Sequence, residues 1–282
     1  MQGPADYPPM IGNRRVEIRS VWAHNFEPEF RILRSISRQY PVIAMDTEFP
    51  GIVFRSGGSE PYLRYRDPVK HYSTLKLNVD RLKLIQIGIS LSDEDGNLPD
   101  LGTEYSYIWE FNFKDFDVSK DSHASDSIEL LRRQGIDFEK NLRMGIDSVS
   151  FAELMMSTGL VLNGNTTWVT FHCAYDFGYL VKCLTQRPLP DRLEEFLHLV
   201  RVFFGEQIYD VKHLMRYCQG LYGGLDHLGK CLGVERIVGN SHQAGSDSLL
   251  TLHTFRKIRE VYFGTFNPVE KYANMLSGLE LC

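Results

Sequence analysis

Three short acidic motifs carry the chemistry this chain could perform. Asp46-Thr47-Glu48 puts two carboxylates two residues apart, and His172-Cys173-Ala174-Tyr175-Asp176 supplies a third. His242-Gln243-Ala244-Gly245-Ser246-Asp247 adds a fourth, with an imidazole five residues before it. Four carboxylates and one imidazole are what two divalent cations and an attacking water need. Brought together, these groups would cut phosphodiester bonds from a 3′ end.

Asp46 and Glu48 follow the apolar run Val42-Ile43-Ala44-Met45, a buried strand, and on an extended backbone both project to one face. Two like charges there raise each other's pKa unless a cation lies between them. Mg²⁺ prefers such carboxylates together with water and phosphate oxygens. Asp176 lies between Trp168-Val169-Thr170-Phe171 and Phe177-Gly178-Tyr179-Leu180-Val181, a strand-to-helix junction where ligand groups gather in open α/β sheets. His242 and Asp247 flank the start of the last helix, behind a loop marked by Gly239, Asn240, Ser241 and Gly245. The helix dipole favours ionised Asp247, and His242 could take a proton from water near neutral pH. Each motif alone has a plain alternative: a solvated strand end, an N-capping Asp, a surface His beside a capping Asp. Their order, each at an element end, favours one centre. In it Asp46, Glu48 and Asp247 hold one Mg²⁺ or Mn²⁺, Asp46 and Asp176 the second, and His242 is the general base. Phe49, next to these ligands, is a candidate to stack on a terminal base, or else a core residue.

The elements that must position these groups read as follows. A helix is predicted from Glu27 to Tyr40 with Asn25 as N-cap, then the strand ending at Asp46. Leu82–Leu91 and Tyr105–Phe113 read as strands joined in a hairpin, with a reversal at Asp95-Gly96. Helices are expected at 125–134, 151–157, 191–200, 211–218, 225–232 and from about Ser246 to Val261. A strand at 167–171 leads into a helix through Leu184, and a short strand falls near Ile208. The expectation is α/β: a mixed central sheet, antiparallel strands first and then parallel, flanked by helices. Residues 1–20 read as a loose arm and 21–282 as one domain, since no linker or repeat divides them.

Composition leaves these readings open. The 282 residues are 43% hydrophobic and 24% charged, ordinary for a globular protein. No apolar run approaches the roughly 20 residues a membrane span requires, so no membrane partner is expected. Five cysteines without a Cys-x-x-Cys pair suggest neither a disulfide framework nor a zinc knuckle, and point to a reducing compartment, cytoplasm or nucleus. The net charge of −5 does not exclude nucleic acid, because an acidic metal centre adds negative charge that bound cations locally reverse.

The three motifs resemble those of the DEDD exonucleases, in the branch whose third motif carries His. At the position where the other branch has Tyr, this chain has Gln243. The second motif departs by carrying His172 and Tyr175 where the family often has Asn and Phe, which leaves Asp176 in place. More closely, Met45-Asp46-Thr47-Glu48-Phe49-Pro50-Gly51, Tyr175-Asp176-Phe177-Gly178-Tyr179-Leu180, Tyr209-Asp210-Val211-Lys212 and the ten residues from His242 to Thr251 look like the Caf/Pop deadenylases. The similarity runs from about Val16 to Val261. It implies a ribonuclease-H-like fold, Mg²⁺ or Mn²⁺ dependence and removal of adenylates from single-stranded poly(A) RNA. It also implies assembly with a large scaffold subunit and a second nuclease subunit. Two alternatives stay open: an exonuclease trimming other RNA or DNA ends, and a catalytically silent subunit of a decay complex. Residues 55–80 look divergent from the family. There Arg55, Arg64, Arg66, Lys70 and Lys76 interleave with Tyr62, Tyr65 and Tyr72, a pattern suited to single-stranded RNA or to a plain solvated loop.

Overall fold

The computed structural model describes residues 10–11, 14–55 and 67–280. Among them, seven strands form one sheet: β1 (Met10–Ile11), β2 (Arg14–Val21), β3 (Val42–Glu48), β4 (Gln86–Ser92), β5 (Tyr105–Asn112), β6 (Thr167–Thr170) and β7 (Ile208–Asp210), in the order β1-β2-β5-β4-β3-β6-β7. β4 is antiparallel to both β3 and β5, whereas β6 and β7 run parallel to β3, so the mixed sheet is the expected one. β3 lies between β4 and β6. Its C-terminal end therefore emerges beside the C-terminal ends of β6 and β7, the edge where open α/β sheets bind ligands.

Alternation along the strands splits the core. Ile43, Met45 and Trp168 face one layer, with α1 (Phe26–Ile36), α2 (Pro68–Arg81), α5 (Ser148–Met155), α6 (Ala174–Thr185) and α7 (Leu193–Phe204). Ala44 and Val169 face the other, with α8 (Val211–Leu214), α9 (Leu225–Leu232) and α10 (Ala244–Tyr262). α3 (Ser125–Arg133) and α4 (Phe138–Met144) close a smaller apolar cluster with Ile85 and Phe116. No helix of the described residues is long and apolar enough to cross a membrane.

Two expectations are corrected. Residues 14–20, read as part of a loose arm, belong to β2, which pairs in parallel with β5. Their basic character hid two buried residues, Val16 and Val21, which lie five apart and face the two opposite layers. The charge on Arg19 is met by Glu29, to which its guanidinium donates at 2.7 and 2.8 Å. The irregular excursion at 55–80 runs into the 14-residue helix α2, which takes up its second half. Asp67-Pro68, which reads as a loop signal, is instead a helix start: Asp67 accepts the Lys70 amide and Pro68 opens the first turn. Asn25 stands at the N-cap of α1, but its side chain accepts from the Trp22 amide rather than from the helix.

Candidate active site

Asp46 and Glu48 share the face of β3 that carries Ala44, so they point toward α10. Thr47 points the other way, and its hydroxyl donates to Asp176 Oδ1 at 2.6 Å. Asp176 lies in the first turn of α6, just past the end of β6, and is 6% exposed. Motifs one and two are thus tied by a direct hydrogen bond across 129 residues of chain.

The third motif is seated by the sheet itself. Asp46 is paired with Gly88 on β4, and a Cβ at Gly88 would lie 1.8 Å from the Ala244 carbonyl oxygen. Absence of a side chain there lets α10 begin directly over the row that carries Asp46. Ser90 continues this small face and exchanges a hydrogen bond with Ser248 at 2.8 Å. Gln243, the N-cap residue, makes no capping bond of its own. Side chains of the sheet take over: Gln86 Oε1 accepts the Ala244 amide at 3.4 Å and Glu110 Oε2 the Gly245 amide at 3.3 Å. One turn on, Asp247 accepts the His242 amide at 2.9 Å and pairs with Arg236 at 2.6 Å. His242 adopts the left-handed region, φ 60°, and is exposed. Its ring, Glu48 and Asp247 bring potential ligand atoms within 4.8 Å of one another.

The electrostatics follow from this crowding. Burial raises Asp46 and Glu48 well above the usual carboxylate range, and in both the charges of Asp247 and Asp176 push further in the same direction. Burial lifts Asp176 to about 7, against the pull of its bond from Thr47. Burial also raises Asp247, opposed by Arg236. Four carboxylates that sense one another beside one guanidinium leave an excess of negative charge that hard divalent cations with oxygen ligands would neutralise. On that donor chemistry the residues fit Mg²⁺ or Mn²⁺.

A pH effect follows. Between 3.8, the ordinary value, and about 7, the folded protein binds a proton at Asp176 that the unfolded chain has released. Stability of the metal-free protein therefore falls as pH rises through that window, and the destabilisation is complete above it. The melting temperature should drop more steeply from pH 4 to 7 in the wild type than in Asp176→Asn. Parallel curves would contradict the assignment.

All five predicted site residues converge at one sheet end. Phe49, the sixth candidate, is half-buried, with its ring centroid 5.3 Å from that of Tyr175 and 4.9 Å from that of Tyr179. Sequence reasoning missed Gly88, Gln86, Glu110 and Arg236. A lone glycine inside an apolar strand was the available signal for Gly88. Of the basic and aromatic residues noted at 55–80, Arg55 and Lys70 are exposed, whereas Tyr72 and Lys76 are engaged within the protein. Tyr72 is buried, stacked on Phe196, and donates to the Pro190 carbonyl at 2.6 Å. Lys76 is bound to Asp80 and to the Leu189 carbonyl. Tyr62, Arg64, Tyr65 and Arg66 lie outside the described residues.

A family model described as CAF1 family ribonuclease matches residues 21–156 and 151–255. The chain belongs to this family. A probable CCR4-associated factor 1 homolog 10 of Arabidopsis thaliana is 53% identical over 264 residues, covering 94% of this chain and 92% of that protein. The poly(A) ribonuclease pop2 of Schizosaccharomyces pombe is 43% identical over 95% of this chain and 77% of its own length. A structure of that organism's Pop2p in its Mg²⁺- and Mn²⁺-bound form superposes with a TM-score of 0.83, covering 93% of this chain and 99% of that one. Yeast CAF1 co-crystallised with the NOT1 MIF4G domain gives 0.75 at 33% identity, over 92% and 96% of the two chains. The fold is therefore that of CAF1 ribonucleases, ribonuclease-H-like as expected, and the chain is a nuclease by family.

Proposed function

We propose that this CAF1-family chain shortens poly(A) tails of mRNA from the 3′ end, one nucleotide at a time, releasing 5′-AMP. The observation that carries the reading is the convergence of Asp46, Glu48, Asp176, Asp247 and His242 at the end of β3. Asp46, Glu48 and Asp247 would hold one Mg²⁺ or Mn²⁺, and Asp46 with Asp176 a second. When bound, the cations supply Lewis-acid stabilisation of the charged phosphate and a more acidic water. His242, exposed at the rim, accepts the proton of the attacking water. The new bond joins that water's oxygen to the terminal phosphorus, the bond to the 3′ oxygen breaks, and that oxygen leaves by taking a proton from solvent water. Asp247 is held against reorientation by Arg236 and by the His242 amide, and Asp176 by Thr47. Phe49, supported by Tyr175 and Tyr179, forms a wall for the terminal base.

The partners follow the relatives: a large scaffold subunit of the NOT1 kind, supported by the co-crystallised yeast CAF1, and a second nuclease subunit. The four cysteines of the described residues, Cys173, Cys183, Cys218 and Cys231, are free thiols, which suits the cytoplasm or nucleus as its compartment. The test compares 5′-labelled oligo(A), oligo(U) and oligo(dA) with Mg²⁺ or Mn²⁺ at matched salt. Stepwise shortening of oligo(A) ahead of the others is expected. Equal rates on all three would replace the proposal with a general exonuclease, and no shortening of any would leave a silent subunit.

A further inference from the structure

Asp210, the last residue of β7, is 1% exposed, and its carboxylate accepts hydrogen bonds from four backbone amides and one thiol of the described residues. Oδ1 accepts the amides of His172 at 2.8 Å and Lys212 at 2.9 Å. Oδ2 accepts the amide of Ser277 at 2.9 Å, and the amide and thiol of Cys173 lie 3.4 Å from it. A buried carboxylate is tolerated when its oxygens are supplied with donors in this way. The donors come from three separate stretches: the turn between β6 and α6, the first turn of α8, and a C-terminal stretch. That stretch is anchored on the edge of the sheet, where Asn274 donates its amide to the Ile208 carbonyl at 2.8 Å and Leu276 and Leu279 are buried.

The first of the three stretches leads into Asp176. His172 sits in the left-handed region, φ 61°, a conformation costly for a residue with a side chain and kept only where its surroundings impose it. The bond from its amide to Asp210 imposes it. The turn so fixed sets where α6 starts, and with it where Asp176 stands relative to Thr47 and the carboxylates of β3. We propose that Asp210 is a positioning residue for Asp176: it locks the β6–α6 turn and so prepares the cation position that Asp176 serves. The inference rests on the two-cation reading of the site. It also makes the C-terminal stretch, through Ser277, part of the support of the centre.

Asp210→Asn keeps shape and volume but leaves one oxygen where two are needed. Either the His172 and Lys212 amides or the Ser277 and Cys173 amides then face an NH₂ group. For the full chain, the expected result is a 10–100-fold loss of affinity for the weaker of two Mn²⁺ ions in calorimetric titration, order-of-magnitude for an outer partner of a metal ligand. The tighter ion should be retained. Turnover should fall by a similar factor with KM nearly unchanged, and hydrogen exchange at the His172 and Cys173 amides should quicken while β3 and α10 stay protected. A variant with wild-type affinity for both ions, or with unchanged exchange at those two amides, overturns the inference. A wild-type chain that binds fewer than two Mn²⁺ overturns the two-cation reading instead, and the exchange of the two amides then decides for Asp210 by itself. If Asp210→Asn does not fold, Ser277→Pro removes one donor and leaves the carboxylate in place. Faster exchange at Cys173, whose amide shares Oδ2 with that of Ser277, is expected in that variant, and unchanged exchange at both His172 and Cys173 overturns the part given to the C-terminal stretch.

Discussion

Asp46→Ala should lose at least about 10³-fold in oligo(A) shortening, because it removes the carboxylate assigned to both cations and the reaction has no other electrostatic support of that size. The same substitution should leave the fold intact and raise the melting temperature of the metal-free protein near pH 7. The side chain is half-buried at the end of β3, and its ionised form is opposed first by burial and then by Asp247, Asp176 and Glu48. Removing it relieves that repulsion. Added Mn²⁺ should stabilise the wild type by about 2.7 kcal/mol at a hundred times its dissociation constant. For a chain of this size that corresponds to a rise of several degrees, on the order of 2–4 °C for each kcal/mol. Asp46→Ala should show little of it. Full-rate shortening by the variant would remove the two-cation assignment, and an equal Mn²⁺-induced rise would show that metal binds elsewhere.

His242→Ala should reduce turnover by about 10²–10⁴-fold, the range expected for loss of a general base. Its ring is exposed and lies within reach of Glu48 and Asp247, on a residue held in the left-handed region by the bond from its amide to Asp247. A base and a ligand leave different traces. If His242 acts on the water, Mn²⁺ affinity and KM change little while turnover collapses. If it serves as a ligand, Mn²⁺ affinity falls together with turnover. Activity within twofold of wild type would exclude both roles.

How much was legible in the sequence depended on whether a residue's task was local. β3 showed itself as an apolar run that ends in acids and β6 as one that leads into an acid-bearing helix, and α9 and α10 as helical spacing behind glycine-marked loops. The five candidate residues were readable because each lies near the end of a strand or the start of a helix. β2 was missed because its Arg residues looked solvated, whereas Arg19 finds Glu29 on α1. α2 was missed because Asp67-Pro68 is at once a turn signal and a helix start, and only the burial of Tyr72, Leu75 and Val79 on one face decides between them. Gly88, Gln86 and Glu110 were silent because their work is done 135 to 158 residues away, at the start of α10. Asp210 belonged to a motif that was noticed, yet nothing in its neighbours announces that its carboxylate gathers amides from three stretches of chain.

Crystals grown with Mn²⁺ and a short oligoadenylate would test the proposed centre most directly, through the anomalous signal of the metal. Two Mn²⁺ peaks about 3.5–4 Å apart are expected, both within bonding distance of Asp46, with Glu48 and Asp247 on one and Asp176 on the other. A terminal phosphate seated away from these four carboxylates, or Mn²⁺ bound with none of them as ligands, would contradict it.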